Sequence, residues 1–266
     1  MARKALSWMG TLLLGSIATA AAAAEYTFAV EPSYTAEKAQ EVYKPLLDYL
    51  EKATGEKFTL VASKNYHFYW SDLRANKKWS FVFDEAHFTD YRIKRFNYLP
   101  LVRTAENTSY VLLSNEEVPD NNPQGLVAKS ITTMPAPSLA FSLLLEIFPN
   151  PMQQPDIRTN PTSWKDTVDI VFAGEADAAM VPNWLYMQYP NLIPVATTRE
   201  FPGAAISASP DVPAEVQQKV KDALLKLHED QNLFDVITEL GISQFVEADA
   251  AAYAGSESML KNFFGY

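Results

Sequence analysis

The sequence predicts an α/β fold with parallel strands, and three observations predict it. Phe28 to Leu50 reads as a buried strand, a short polar loop and a long amphipathic helix. The same alternation then recurs up to Val102, and strand–helix–strand repeats imply a parallel sheet with right-handed crossovers. The chain of 266 residues is long enough for two compact lobes.

In the first helix the apolar positions Ala39, Val42, Tyr43, Leu46, Leu47 and Leu50 recur every three or four residues, which makes one stripe. Thr35 fits its N-cap and Gly55 its C-cap. Pro45 lacks an N–H for the preceding turn and predicts a kink. Lys57–Ala62 alternates as a strand, and Asn65–Ala75 reads as a short, aromatic-rich helix. Trp79–Phe83 is the next strand, Asp84–Arg92 opens a helix, and Leu99–Val102 is strand-like. Tyr110–Leu113 is a strand before a polar, proline-containing loop over Ser114–Gln124. Ile131 leads through Pro135 and Pro137 into a helix over Leu139–Phe148, which Pro149 and Pro151 stop. Ser163-x-x-Asp166 resembles a capping box for a helix ending near Gly174. Asp177–Val181 is a strand, Trp184–Tyr189 a short helix, and Leu192–Ile206 extended. Pro213 suits the start of a helix with Val216, Val220, Ala223, Leu224 and Leu227 inward, and another follows around Leu233–Leu240.

The first 24 residues read as a secretory leader: Arg3 and Lys4, an apolar stretch from Leu12 to Ala18, then small residues at Ala22–Ala24. The expected location is therefore the periplasm. No cysteine is present, so neither disulfides nor a lipid-modified cysteine anchor is possible. Loss of Arg3 and Lys4 with the leader takes the formal net charge from −10 to about −12, which argues against nucleic acid and anionic membranes as partners. No catalytic motif is visible: no G-x-S-x-G, no H-E-x-x-H, no phosphate-binding loop. With His67, His87 and His228 the only histidines, neither a multi-histidine metal site nor a cofactor is expected, and His228 reads as solvated.

Two segments carry a family resemblance. Tyr43-Lys-Pro-Leu-Leu-Asp-Tyr-Leu-Glu-Lys-Ala-Thr-Gly55 resembles the pattern W/Y-x-P-L-x-x-Y-L-x-x-x-T-G near the start of phosphonate-binding proteins of phosphate/phosphonate ABC transporters. Gly241 to Tyr253 is similar to their C-terminal G-x-x-x-F-V-x-A-D-x-x-x-Y. The resemblance implies a two-lobed periplasmic binding fold of type 2, each lobe a mostly parallel sheet flanked by helices, joined by a two-strand hinge. Lobe 1 would hold 25–104 plus 205–266, and lobe 2 would hold 105–204. It also implies a non-enzymatic clamp, most simply a monomer, that closes on a phosphonate-like or other oxyanion and delivers it to an ABC permease.

Four stretches are candidates for ligand contact. Glu31–Thr35 sits at a strand's carboxyl end and a helix N-terminus, where open α/β sheets bind ligands; Ser33 and Tyr34 are its expected contacts. Asp84–Tyr91 stands where the family has a G-P-x-x-Y turn, but here Glu85 and His87 are the contacts expected, beside Asp84. Carboxylates next to an imidazole suit a cation or hydrogen-bond donor better than a bare phosphonate; a helix cap with His87 packed inside is the alternative. Thr132–Leu139 stands where the family has S-x-T-S-G. It keeps the hydroxyls of Thr132, Thr133 and Ser138, but Pro135 and Pro137 remove two backbone donors and the glycine is missing, which makes a poorer phosphate cradle or simply a helix start. Last, Asn183 follows the Asp177 strand, with Trp184 and Tyr186 as walls. Tyr34, Tyr66, Tyr69, Trp70, Tyr91, Trp184 and Tyr186 could line the cleft and hold a cationic or heteroaromatic solute, or could pack in the core. Two rival functions stay open: an accessory protein reporting ligand to the periplasmic domain of a sensor kinase, and a secreted hydrolase resting on carboxylates or a Ser–Lys pair.

Overall fold

The computed structural model describes residues 24–266, and all of the expected leader except Ala24 lies outside them. The chain opens with β1 (Glu25–Val30), α1 (Ala36–Thr54), β2 (Lys57–Ala62), α2 (Tyr66–Arg74), β3 (Phe81–Asp84), α3 (Ala86–Phe96) and β4 (Leu99–Thr104). Helix α1 forms as the spacing predicts. Thr35 Oγ1 accepts from Lys38 N at 3.2 Å, Gly55 closes the helix at φ +78°, and the whole apolar stripe is buried. The helix runs unbroken through Pro45. Each large side chain in that stripe contributes roughly 1.5–3 kcal/mol by leaving water.

The middle of the chain adds β5 (Tyr110–Ser114), β6 (Ser130–Thr132), α4 (Leu139–Ile147), β7 (Asp156–Arg158), α5 (Trp164–Phe172), β8 (Ala178–Pro182), α6 (Asn183–Tyr186) and β9 (Ile193–Thr197). The chain ends with β10 (Ala205–Ala208), α7 (Ala214–Leu225), α8 (Phe234–Glu239), β11 (Phe245–Glu247) and a series of short turns. Strand Phe81–Asp84 starts later than the aromatic run suggests, because Trp79 is buried in the turn before it.

The strands make two sheets. One has the order β11-β4-β10-β3-β1-β2, the other β7-β6-β8-β5-β9. In the first, β1, β2 and β3 pair in parallel, and β10 is wedged antiparallel between β3 and β4. Strands β1 to β4 therefore point the same way, while β10 and β11 return. In the second, β6, β7 and β8 are parallel, and β5 lies antiparallel to both β8 and β9. Both sheets are thus mixed rather than mostly parallel: among the described residues four of the nine pairings are parallel and five antiparallel, because β10 separates β3 from β4 and β5 separates β8 from β9.

The chain passes between the sheets twice, after β4 and before β10. The two passages lie side by side: Thr104 N donates to Ala204 O at 2.9 Å, Thr108 N to Phe201 O at 2.9 Å, and Phe201 N to Thr108 O at 2.8 Å. Gly203 sits here because a Cβ would collide with the backbone oxygens of Thr104 and Glu106. One apolar cluster packs α1, α7 and α8 on the first sheet. A second runs from α2 and α3 across to the second sheet, so that Tyr66, Phe88, Tyr110, Met134 and Leu139 belong to one continuous core.

Candidate functional site: an acidic cavity between the sheets

The parallel register Val30↔Phe83 brings the carboxyl ends of β1 and β3 side by side, so Glu31 follows one strand where Asp84 and Glu85 end the other. The three acids then separate in role. Asp84 points into the protein, where Arg92 Nε donates to its Oδ2 at 2.5 Å and the Tyr69 hydroxyl donates to Oδ1. The Arg92 guanidinium is fully buried, 5.0 Å from the Trp79 ring and 5.3 Å from the Tyr98 ring. A buried charge held by a carboxylate and aromatic faces is an anchor. It fixes the turn that carries Glu85.

Glu31 and Glu85 have no such cation. Glu31 Oε1 accepts from the Glu85 backbone N–H, and its Oε2 accepts from the Tyr66 hydroxyl at 3.1 Å. Glu85 Oε1 accepts from the Tyr110 hydroxyl, which reaches over from β5 of the other sheet, and Glu85 Oε2 has no hydrogen-bond partner. Burial, with the nearby charges of Glu85 and Asp84, pushes the Glu31 carboxyl well above its ordinary range. Burial pushes Glu85 up to about 7; the Tyr110 hydrogen bond opposes this and Asp84 adds to it.

Both glutamates line a cavity of ≈ 310 Å³ between the two sheets. The first sheet's side supplies Ser33, Tyr34, Tyr43, Phe83, Leu240 and Gly241; the other supplies Trp164, Pro182, Asn183 and Trp184. The passage residues Thr104, Glu106, Asn107, Thr108 and Ser109 form one edge. The Trp184 ring rests where a Cβ on Gly241 would be, and Gly241 has φ +67°. Among the described residues, the cavity wall holds three carboxylates and no Lys, Arg or His.

A family model described as the periplasmic substrate-binding protein of phosphonate ABC transporters matches residues 28–253. The chain belongs to that family. No curated protein matches it. Solved structures with the same fold include PhnD1 of Prochlorococcus marinus in complex with methylphosphonate, 13% identical with a TM-score of 0.74 over 89% of this chain and 97% of that one. A Xanthomonas citri protein bound to ATP is 14% identical, with a TM-score of 0.66 over 88% of this chain and 95% of that one. The binding protein component of a Pseudomonas aeruginosa ABC phosphonate transporter is 13% identical, with a TM-score of 0.67 over 86% of this chain and 82% of that one. These likenesses show the type 2 two-sheet fold of periplasmic binding proteins.

In this member of the phosphonate-binding family, Ser33, Tyr34, Glu85, Asn183 and Trp184 come together around the cavity. Tyr34 also donates its hydroxyl to Glu239 O at 2.9 Å, and Asn183 N donates to Ser109 O at 2.8 Å. His87, Thr132, Thr133 and Ser138 are buried and do not line the cavity. Their polar atoms face inward. His87 Nε2 lies 3.0 Å from Pro137 O and donates to it, which leaves Nδ1 without a partner. Burial pushes this imidazole down to about 3, against the Pro137 contact. Thr133 Oγ1 donates to Met180 O at 3.2 Å. Ser138 Oγ caps α4 by accepting from Phe141 N at 3.2 Å and donates to Met134 O at 3.0 Å. Thr132 Oγ1 has no partner. The loop that resembles an oxyanion cradle spends the Thr133 and Ser138 hydroxyls on backbone oxygens and on capping α4.

Of the aromatic residues expected at a cleft, Tyr69, Trp70 and Tyr91 pack in the core, while Tyr66 meets Glu31. Sequence reasoning put Glu31 in its first candidate stretch without making it a contact, and it missed Tyr43, Glu106, Tyr110 and Trp164. Tyr43 and Tyr110 read as core because they are also buried, and only the strand register shows which atoms meet.

Proposed function

We propose that the cavity between the sheets is the solute site of a two-lobed clamp, and that the protein hands its solute to an ABC permease. The observation that supports this most is the position of the cavity: its wall draws on both sheets, and the paired passages at 104–109 and 197–204 form its edge. Lobe 1 is 25–104 plus 205–266, lobe 2 is 105–204, and the passages act as the hinge. A hinge of two short segments lets the lobes part and close about a ligand. Ligand contacts made to both lobes at once favour the closed form. Ser33, Tyr34 and Glu85 are the contacts from lobe 1, and Asn183 and Trp184 those from lobe 2. The clamp works in the periplasm as a monomer without chemistry of its own, after residues 1–24 are removed.

The test is a thermal-shift and calorimetric panel of phosphonates, other oxyanions, amines and heteroaromatics on the mature protein. A ligand at 100 times its Kd stabilises by about 2.7 kcal/mol. The expected hit is lost in both Tyr34→Ala and Trp184→Ala while the folded spectrum persists. A hit that both variants retain places the solute site elsewhere.

A further inference from the structure

We infer that the solute carries an ammonium or another cationic N–H group, seated on Glu85 and Glu31, with its apolar part between Tyr34, Trp164 and Trp184. This rests on the cavity being the solute site. Three independent features point the same way. The cavity wall holds Glu31, Glu85 and Glu106 and, among the described residues, no basic side chain. Like charge at such distances in a poorly solvated site opposes an anion, and a carboxylate in the same place attracts a cation. The second feature is a vacancy in hydrogen bonding: Glu85 Oε2 accepts nothing, although Oε1 and both oxygens of Glu31 are occupied. A buried carboxylate oxygen left unpaired is costly, and an N–H donor removes that cost. The third is the set of aromatic walls, which favour a cation over an anion through the negative faces of their rings.

The hydroxyls of the 132–138 loop are turned away from the cavity. Thr133 and Ser138 bond backbone oxygens inside the second sheet's body, and none of Thr132, Thr133 and Ser138 reaches the wall. The nearest buried cation, Arg92, is held by Asp84. It does not neutralise Glu31 or Glu85.

Without a cation, burial favours the protonated form of both glutamates. The groups that face them are Tyr66 from α2, Tyr110 from β5, Tyr43 from α1, and Asp84 with its Tyr69 and Arg92 partners. Arg92 is the only one of these that carries positive charge. A cationic solute therefore displaces a proton as it binds. Its apparent affinity rises with pH up to the neutral value at which Glu85 loses its proton, and levels off above it.

The experiment is titration calorimetry of the whole mature protein with benzylamine, agmatine, benzyl alcohol and methylphosphonate, in two buffers of different ionisation enthalpy and at pH 5.5 and 7.5. The expected result is that an amine binds at least tenfold more tightly than benzyl alcohol. It also releases protons at pH 5.5, binds more tightly at pH 7.5, and loses at least tenfold in Glu85→Gln. Glu117→Gln, exposed after β5 and outside the cavity, serves as a charge control that folds and keeps the affinity. Equal binding of benzylamine and benzyl alcohol overturns the inference, and so does amine binding that Glu85→Gln leaves intact. Binding of methylphosphonate without either amine, abolished by Trp184→Ala, overturns the cation and leaves the cavity as the solute site. Binding of none of the four probes counts against both.

Discussion

Single residues in this protein divide into anchors and unpaired groups, and the two respond to substitution in opposite ways. Arg92 is an anchor: its guanidinium holds Asp84 inside three aromatic rings. Arg92→Met leaves the Asp84 charge buried and alone, so a loss of about 3–5 kcal/mol is expected in urea unfolding. Thr132 is the reverse case. Its hydroxyl is fully buried and unpaired, so Thr132→Val is expected to be neutral or stabilising by up to about 1 kcal/mol, read by thermal melting. An unchanged urea midpoint for Arg92→Met would show that the Asp84 turn is held by something else. Glu85 makes a pH prediction. Its folded-state value of about 7 lies above the ~4.3 of an unfolded glutamate, so the folded protein binds the extra proton. That contribution is complete below about pH 4.3 and is lost as pH rises through about 7. Urea midpoints of the ligand-free protein, compared with those of Glu85→Gln, should show a falling difference across that window. A flat difference would mean that the carboxyl is solvated. None of these roles is legible from residue type alone: Asp84 and Glu85 are neighbours in sequence, and only β3 turning its last residue inward separates them.

At the scale of elements, α1 has the cap, stripe and C-terminal glycine that its sequence predicts, because all three are local signals, although it runs unbroken through Pro45. The passages between the sheets carry no such signals. Nothing in 104–109 or 197–204 has a period, yet their pairing sets how the two sheets stand. Gly203→Val puts a branched side chain against the backbone oxygens of Thr104 and Glu106, so the passages must part. The expected outcome is a melting point several degrees lower and a weaker ligand, measured by calorimetry; wild-type values in both would rule out tight packing at this point. Gly241→Ala acts on the site itself. It forces a side chain into positive φ and pushes on the Trp184 ring, so affinity should fall about tenfold or more while most of the stability remains. The loop at 132–138 shows the limit of motif reading. Its hydroxyls fit an oxyanion on paper, but helix α4 needs a cap, and Ser138 supplies it.

At the scale of the molecule, one apolar core joins Tyr66 and Phe88 to Tyr110 and Met134 and so holds the two sheets' bodies together. The tail adds to this: Phe263 packs 6.0 Å from Phe141 on α4, and Arg199 lies 3.0 Å from Met259. Phe263→Ser should loosen the clamp, seen as a larger radius of gyration by solution scattering without ligand and a return toward the compact value when ligand is added. Equal radii for variant and wild type would mean that the tail carries no closure. Alternating strands and striped helices determined the α/β class, and the 43–55 and 241–253 motifs determined the family. Those signals survive in a linear chain because hydrophobic period and capping act over a few residues. The tertiary structure alone decided which carboxylates meet and where the cavity opens. It also decided that His87, Thr132, Thr133 and Ser138 face inward. Those outcomes depend on strand register and on two passages of chain about 100 residues apart, and no local preference encodes which side chain then has room to turn.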